Sequence, residues 1–203
     1  MYVPAAFAAP DDDAVAALIA AYPLATLVTG DLHASPLPLR LVRDGDALVL
    51  RGHLARANQH TAALHGQAAL AIFTGPQAYV SPSYYPSKAA HGRVVPTWNY
   101  VTVHAHGTAH LIDDATWVRD LVTALTDDHE RHRGTPWAVS DAPTDYLDGM
   151  MRAIVGVELR DVRLVGKWKL SQNRSAVDRG GVADGLAAGS PDEQACGRLT
   201  DRG

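Results

Sequence analysis

Apolar residues fall at Val15, Leu18, Ile19 and Tyr22, the i, i+3, i+4, i+7 spacing of one buried helix face. Asp11 to Asp13 supply a cap and negative charge at the positive end of that helix, and Pro23 stops it, so a helix is predicted over residues 11–22. The period then shortens. Leu24–Thr29 is apolar and partly β-branched, and Gly30-Asp31 turns the chain. Residues 34–43 read as extended, with Pro36 and Pro38 marking an edge or a bulge. An Asp44-Gly45 loop before Asp46–Leu50 is a strong hairpin signal, so a three-stranded antiparallel meander is expected by residue 52.

Further on, a short helix capped by Asn58 is predicted over 58–65. Residues 68–73 and 78–80 read as two strands, and the proline-rich 82–96 as a long ordered loop. From Trp98 to Ile112, Val101, Val103 and Ala105 alternate with Thr102, His104 and His106, the period of a long strand. A helix from Asp113 places Trp117, Leu121 and Leu125 on one side. A short helix around 143–151 and a last strand at 153–165 follow. About six strands in hairpin order, without regular strand–helix alternation, predict an α+β fold, mainly antiparallel β, closed as a barrel with flanking helices. No internal repeat is present. The composition turns to Gly, Ala, Ser, Asp and Glu near residue 183, so 1–186 is expected to be one domain and 187–203 a disordered tail.

Composition narrows the class. Of the 203 residues, 47% are hydrophobic and 20% charged, which excludes a wholly disordered chain, a collagen or a coiled coil. No apolar run of about 18 residues is present, so no spanning helix is expected. The N-terminal stretch lacks a basic region followed by a long apolar core, so a soluble cytoplasmic protein is expected, with no membrane partner. Cys196 is the one cysteine, so no internal disulfide can form. Net charge is −4, which counts against DNA binding by the isolated subunit but leaves a local basic patch open.

Three stretches could carry chemistry. In Arg51-Gly52-His53-Leu54-Ala55-Arg56-Ala57-Asn58, two guanidinium groups, an imidazole and a capping amide converge between a strand and a helix. A phosphate monoester suits that set; an ordinary solvated turn explains it too. Trp98-Asn99-Tyr100 could stack on a planar heterocycle, form a subunit contact, or plug a barrel end. In Lys167-Trp168-Lys169-Leu170-Ser171-Gln172, alternation puts Lys167 and Lys169 on one face and Trp168 on the other. That arrangement fits an anionic ring ligand or a lysine-guarded edge strand. A metal site is not expected: His129 and His132 are three apart, one short of the zinc-protease spacing. No nucleophile-elbow, dinucleotide or P-loop pattern appears, and no catalytic residue stands out.

These stretches resemble the PaiB-type FMN-binding negative transcriptional regulators. The likeness runs from about Met1 to Leu186. It is carried by Arg51–Asn58, Phe73–Lys88, Pro96–Tyr100 and Gly166–Asn173, in that order. It implies an FMN-binding split β-barrel acting as a homodimer, with flavin sites at the subunit interface. Carried across, Arg51, His53, Arg56 and Asn58 look like a phosphate cradle. Trp98, Asn99 and the strand end with Lys167, Trp168, Lys169, Ser171 and Gln172 look like the walls and polar contacts of the ring site. The family label implies transcriptional repression. The alternatives are an FMN-dependent oxidoreductase of the pyridoxamine-phosphate-oxidase-like superfamily, where the cofactor carries the chemistry, or a scaffold that has lost its flavin.

Overall fold

The computed structural model describes residues 1–201. Its helices are α1 (Asp12–Ala21), α2 (Thr61–Leu64), α3 (Ser87–His91), α4 (Ala115–Glu130), α5 (Thr144–Arg152), α6 (Ala176–Leu186) and α7 (Pro191–Asp201). Its strands are β1 (Leu24–Thr29), β2 (Ala34–Pro38), β3 (Arg40–Asp44), β4 (Ala47–Ala55), β5 (Ala68–Val80), β6 (Thr97–Ile112) and β7 (Ile154–Lys169). They form one sheet in the order β2-β1-β5-β6-β7-β4-β3. The fold is α+β, a largely antiparallel split barrel with flanking helices. The chain divides into two compact units. The first holds Met1–Tyr22, Phe73–His104 and the chain from Val165; the second holds Pro23–Ile72 and Ala105–Leu164. Strands β5, β6 and β7 run through both.

Several elements follow their sequence signals closely. In α1 the Asp11 carboxylate accepts from the Ala14 amide at 2.7 Å, and Val15, Leu18 and Ile19 are buried. In α4 Asp114 accepts from the Trp117 amide at 2.8 Å, and Val118, Leu121 and Leu125 face the core. The hairpin between β3 and β4 turns on Gly45-Asp46, one residue later than expected. Asp44 pairs with Ala47, and Gly45 takes φ +60°.

The expected meander does not form. β2 pairs with β1, β3 pairs with β4, and β2 and β3 end up at opposite ends of the strand order. Pro36 and Pro38 are two apart, so the same strand edge loses both amide donors and cannot accept a third strand. Residues 68–80 form one strand rather than two. Gly75 lets it pass close to α1, where a Cβ would stand 2.7 Å from Leu18 Cδ1. The predicted loop 82–96 contains a 3₁₀ turn at Pro82–Tyr84 and α3, closed by Gly92 at φ +65°. Helix α2 is shorter than predicted, and Asn58 lies ahead of it.

The expected disordered tail is a correction: within 187–203 the chain forms α7 up to Asp201, and residues 202–203 lie outside the described residues. It docks through small residues. Cys196 and Thr200 are buried, and a Cβ on Gly197 would sit 3.1 Å from the Ala183 carbonyl of α6. Close approach of small residues needs no apolar stripe, so the hydrophobic pattern is silent there. Burial, reinforced by Asp192 and Glu193, pushes the Cys196 thiol up to about 12. Cys196 should therefore resist a maleimide at pH 8 in the native protein and react fully in urea. Immediate stoichiometric labelling without denaturant would contradict the docked helix.

Candidate flavin site

In the second unit the candidate residues lie on β4 and the bend after it. Arg51 pairs with two carboxylates. Its Nε donates to Glu158 Oε2 at 2.7 Å, a terminal nitrogen donates to Asp44 at 2.9 Å, and its guanidinium lies 5.8 Å from the centre of the Trp117 ring. Glu158 is buried and also accepts from Arg160 Nε at 2.7 Å. Arg51 thus clamps β4 to β7 through two of its five N–H donors.

His53 differs. Its Nδ1 is buried and has no hydrogen-bond partner. Burial pushes the imidazole pKa down, so the ring is neutral near pH 7. Arg56 lies on the surface. It donates to Asp113 through both terminal nitrogens and to the Arg152 carbonyl at 2.9 Å. Both partners of the Arg56–Asp113 pair are exposed, so an incoming anion can take over the guanidinium at small cost. Beside Arg56 opens a cleft of about 380 Å³, reaching Arg119, Asp148 and Arg152.

Asn58 serves the turn. Its amide nitrogen donates to Ser35 Oγ at 3.2 Å, and its oxygen accepts from the His60 amide at 3.0 Å. His60 is buried between Ser35 Oγ (2.9 Å from Nδ1) and Thr29 Oγ1 (2.8 Å from Nε2). Thr29 donates its hydroxyl proton to Asp31 at 2.5 Å, so it must accept from His60 Nε2–H; Ser35 then donates to Nδ1. The result is one directed chain from Asn58 through Ser35, His60 and Thr29 to Asp31. Bonds from Thr29 and His33 hold the Asp31 carboxyl well below the usual range. Nothing in the sequence announced this network, because its members are up to 31 residues apart.

In the first unit the candidate residues cluster where β6 begins and β7 ends. Trp98 is 53% exposed, so it plugs nothing, and it meets the Tyr79 ring edge-on at 6.0 Å. Asn99 points inward and is fully buried. Its Oδ1 accepts from Ser171 Oγ at 3.0 Å and its Nδ2 donates to Thr200 Oγ1 at 3.3 Å. Trp168 is buried against Gly166, where a Cβ would stand 2.6 Å from the indole. Gln172 closes the turn: its Oε1 accepts from the Leu170 amide at 2.8 Å and its Nε2 donates to the Trp168 carbonyl at 2.6 Å. Ser171 carries that turn at φ +65°. Asn99, Trp168, Ser171 and Gln172 therefore build the strand end, while Trp98 is exposed and the half-buried Lys169 and largely buried Lys167 lie against Tyr100. Lys169 Nζ donates to Thr97 Oγ1 at 2.5 Å and to the Trp98 carbonyl. Lys167 and Lys169 both reach the Tyr100 ring, at 5.3 and 6.0 Å, as expected of two residues on one strand face.

The family described as "Putative FMN-binding domain" matches residues 1–162. The Bacillus subtilis protease synthase and sporulation protein PAI 2 is 29% identical over 190 residues, 92% of this chain and 89% of that protein. The chain belongs to the PaiB-type FMN-binding family. An uncharacterized Aspergillus fumigatus protein is 36% identical over 170 residues, covering 68% of this chain. The chain spans 65% of that relative's length and 66% of a similar Emericella nidulans protein's. Among solved structures, the FAD and heme binding protein from Mycobacterium smegmatis superposes with TM-score 0.55 at 21% identity, covering 90% of this chain and 80% of that one. The Azotobacter vinelandii flavocytochrome Anf3 gives 0.55 at 19%, covering 80% and 69%. These likenesses carry the fold. The family match ends before Lys167, while the PAI 2 alignment takes in nearly the whole chain.

Proposed function

We propose that this protein is a cytoplasmic FMN-binding transcriptional repressor of the PaiB type, acting as a homodimer with its flavin sites at the subunit interface. The family and the PAI 2 relative support that reading. The observation that carries the cofactor assignment is the orphaned Nδ1 of His53, a buried polar atom three residues before Arg56, whose guanidinium is exposed and exchangeable. A buried group without a partner is costly, and a phosphate oxygen satisfies it when Nδ1 carries the proton. His53 and Arg56 hold the phosphate; Arg51 and Asn58 fix the strand and turn that present them. In the first unit, Trp98 presents an exposed aromatic face of the kind that stacks on a planar ring.

When bound, the flavin supplies one- or two-electron transfer. The chain itself contributes binding, orientation and a neutral imidazole at the phosphate end. With a net charge of −4, contact with DNA falls to a local patch in the dimer.

The first experiment is to release and identify the chromophore of the purified protein: FMN is expected, and FAD, haem or no chromophore would defeat the assignment. Arg56→Ala should weaken FMN binding about tenfold while leaving riboflavin affinity unchanged, because a charge-assisted contact to phosphate is lost. Equal losses for both ligands, measured by flavin fluorescence quenching, would remove Arg56 from the phosphate. Repression predicts a salt-sensitive shift of promoter DNA. The second reading, an FMN-dependent oxidoreductase, is favoured by the fold shared with a flavocytochrome. NAD(P)H consumption by the flavin-loaded protein, with no promoter shift, would select it.

A further inference from the structure

The bend that carries Arg56 and Asn58 is held from behind by a buried imidazole. His60 is 1% exposed, and Ser35 and Thr29, which bond its two ring nitrogens, are 4% exposed each. Solvent barely reaches this set, so its polar groups must satisfy one another. The bonds to the bend are direct. Asn58 Oδ1 accepts from the His60 amide, and Asn58 Nδ2 donates to Ser35 Oγ. The Thr61 hydroxyl shares its proton between the Asn58 carbonyl at 2.6 Å and the Arg56 carbonyl at 3.3 Å.

The order of donors and acceptors suits only a neutral ring. Thr29 gives its proton to Asp31, so it accepts from Nε2–H, and the bare Nδ1 accepts from Ser35. A proton added at Nδ1 would turn that contact around. Ser35 Oγ would then accept from both His60 and Asn58, and its own hydroxyl proton would lose its acceptor inside the protein. The new charge would also face the His33 ring, stacked 5.5 Å from His60 at 23°. The charged and titratable groups that His60 feels are His33 and Asp31, both between β1 and β2. Asp31 favours the added proton, but burial and His33 outweigh it. The other groups bonded to His60, from β1, β2 and the bend, are two hydroxyls and an amide oxygen.

We infer that neutral His60 is a positioning residue that locks the Arg56–Thr61 bend, and that an anion held at this bend is released when His60 takes up a proton. The release rests on the flavin reading, in which that anion is the FMN phosphate; the lock does not. A bound phosphate would itself attract a proton to His60. That pull is screened, because Arg56 and its partner are exposed, whereas the bonds lost on protonation are buried.

Two measurements test the pair. In the flavin-free protein at pH 8, nitrogen-resolved NMR should show His60 with Nδ1 bare and a slowly exchanging proton on Nε2. On acidification the ring should titrate in step with shifts of the amides from Arg56 to Thr61. Amides that stay in place while the ring titrates, or a ring protonated on Nδ1 at pH 8, overturn the lock. The second measurement follows FMN and riboflavin affinity from pH 8 to pH 5 in wild type and in His60→Gln, whose side chain offers an acceptor and a donor without titrating. Wild-type FMN affinity should fall by a factor about twofold or more beyond the fall in the variant, because only the neutral fraction binds. Riboflavin should show no such excess. The phosphate's own second ionisation, at about 6, and that of His53 occur in both proteins, so the difference isolates His60. Parallel FMN profiles, or an equal excess for riboflavin, overturn the release. No FMN binding by wild type at pH 8 would defeat the flavin assignment and the release with it, and the NMR result would then decide the lock by itself.

Discussion

Gly52→Ala should cost about 3 kcal/mol of stability, among the largest single effects in the chain. A Cβ at position 52 would stand 2.5 Å from the Pro38 carbonyl oxygen and 2.8 Å from Leu39 Cδ2. Neither neighbour can yield cheaply. Pro38 is paired in register with Leu24, and the next amide, Leu39 N–H, donates to the Pro23 carbonyl at 2.9 Å. Leu39 is fully buried. Relief must come from β4 itself, whose adjacent residues are Arg51, held by Glu158, and His53, with its orphaned nitrogen. The variant should therefore lose flavin as well as stability. Urea unfolding of Gly52→Ala beside Gly134→Ala measures it, since nothing lies within 4 Å of a Cβ at position 134. Equal midpoints for the two variants would show that the approach of β4 to Pro38 is not a packing constraint.

That close approach also shows what a linear reading can reach. Residues 51–58 stood out because arginine, glycine, histidine and asparagine gather there, and the structure confirms a strand running into a bend. Which of them are available to a ligand was not legible. Glu158 lies 107 residues from Arg51 and takes its guanidinium; Ser35 and the His60 amide take both ends of Asn58. Local periodicity found α1, β1, β6 and α4, whose signals lie within a few turns of chain. It split β5 at Gly75-Pro76, where the glycine serves packing against α1 and breaks nothing. It missed α7, which packs by small residues.

Glu158→Gln should cost about 2 kcal/mol at pH 7, and the difference from wild type should close as the solution is acidified. The figure is set below that for a fully buried pair because Arg160 is about half exposed and Asp44 still faces Arg51. Burial works against ionisation of Glu158, but the bonds from Arg160 and Arg51 outweigh it, so its pKa lies below the ordinary 4.5. As pH falls the unfolded chain takes up the proton first. The stabilisation is complete above about 4.5 and is lost as pH drops through the lower folded value. His53 and His60 act in the same direction at higher pH. Burial depresses both from 6.5, so each contributes stability above 6.5 that is lost on acidification through its folded value. Wild-type urea midpoints should accordingly decline in two stages, one beginning below 6.5 and one below 4.5. Glu158→Gln, which mimics the protonated acid, should keep the first stage and show a shallower second one, the remainder coming from Asp31, Asp113 and Asp178, whose pKa values are also lowered. A wild-type-to-variant gap that stays constant down to pH 3 would mean that Glu158 contributes packing rather than charge, and that the clamp holding Arg51 away from a ligand is weaker than its geometry implies.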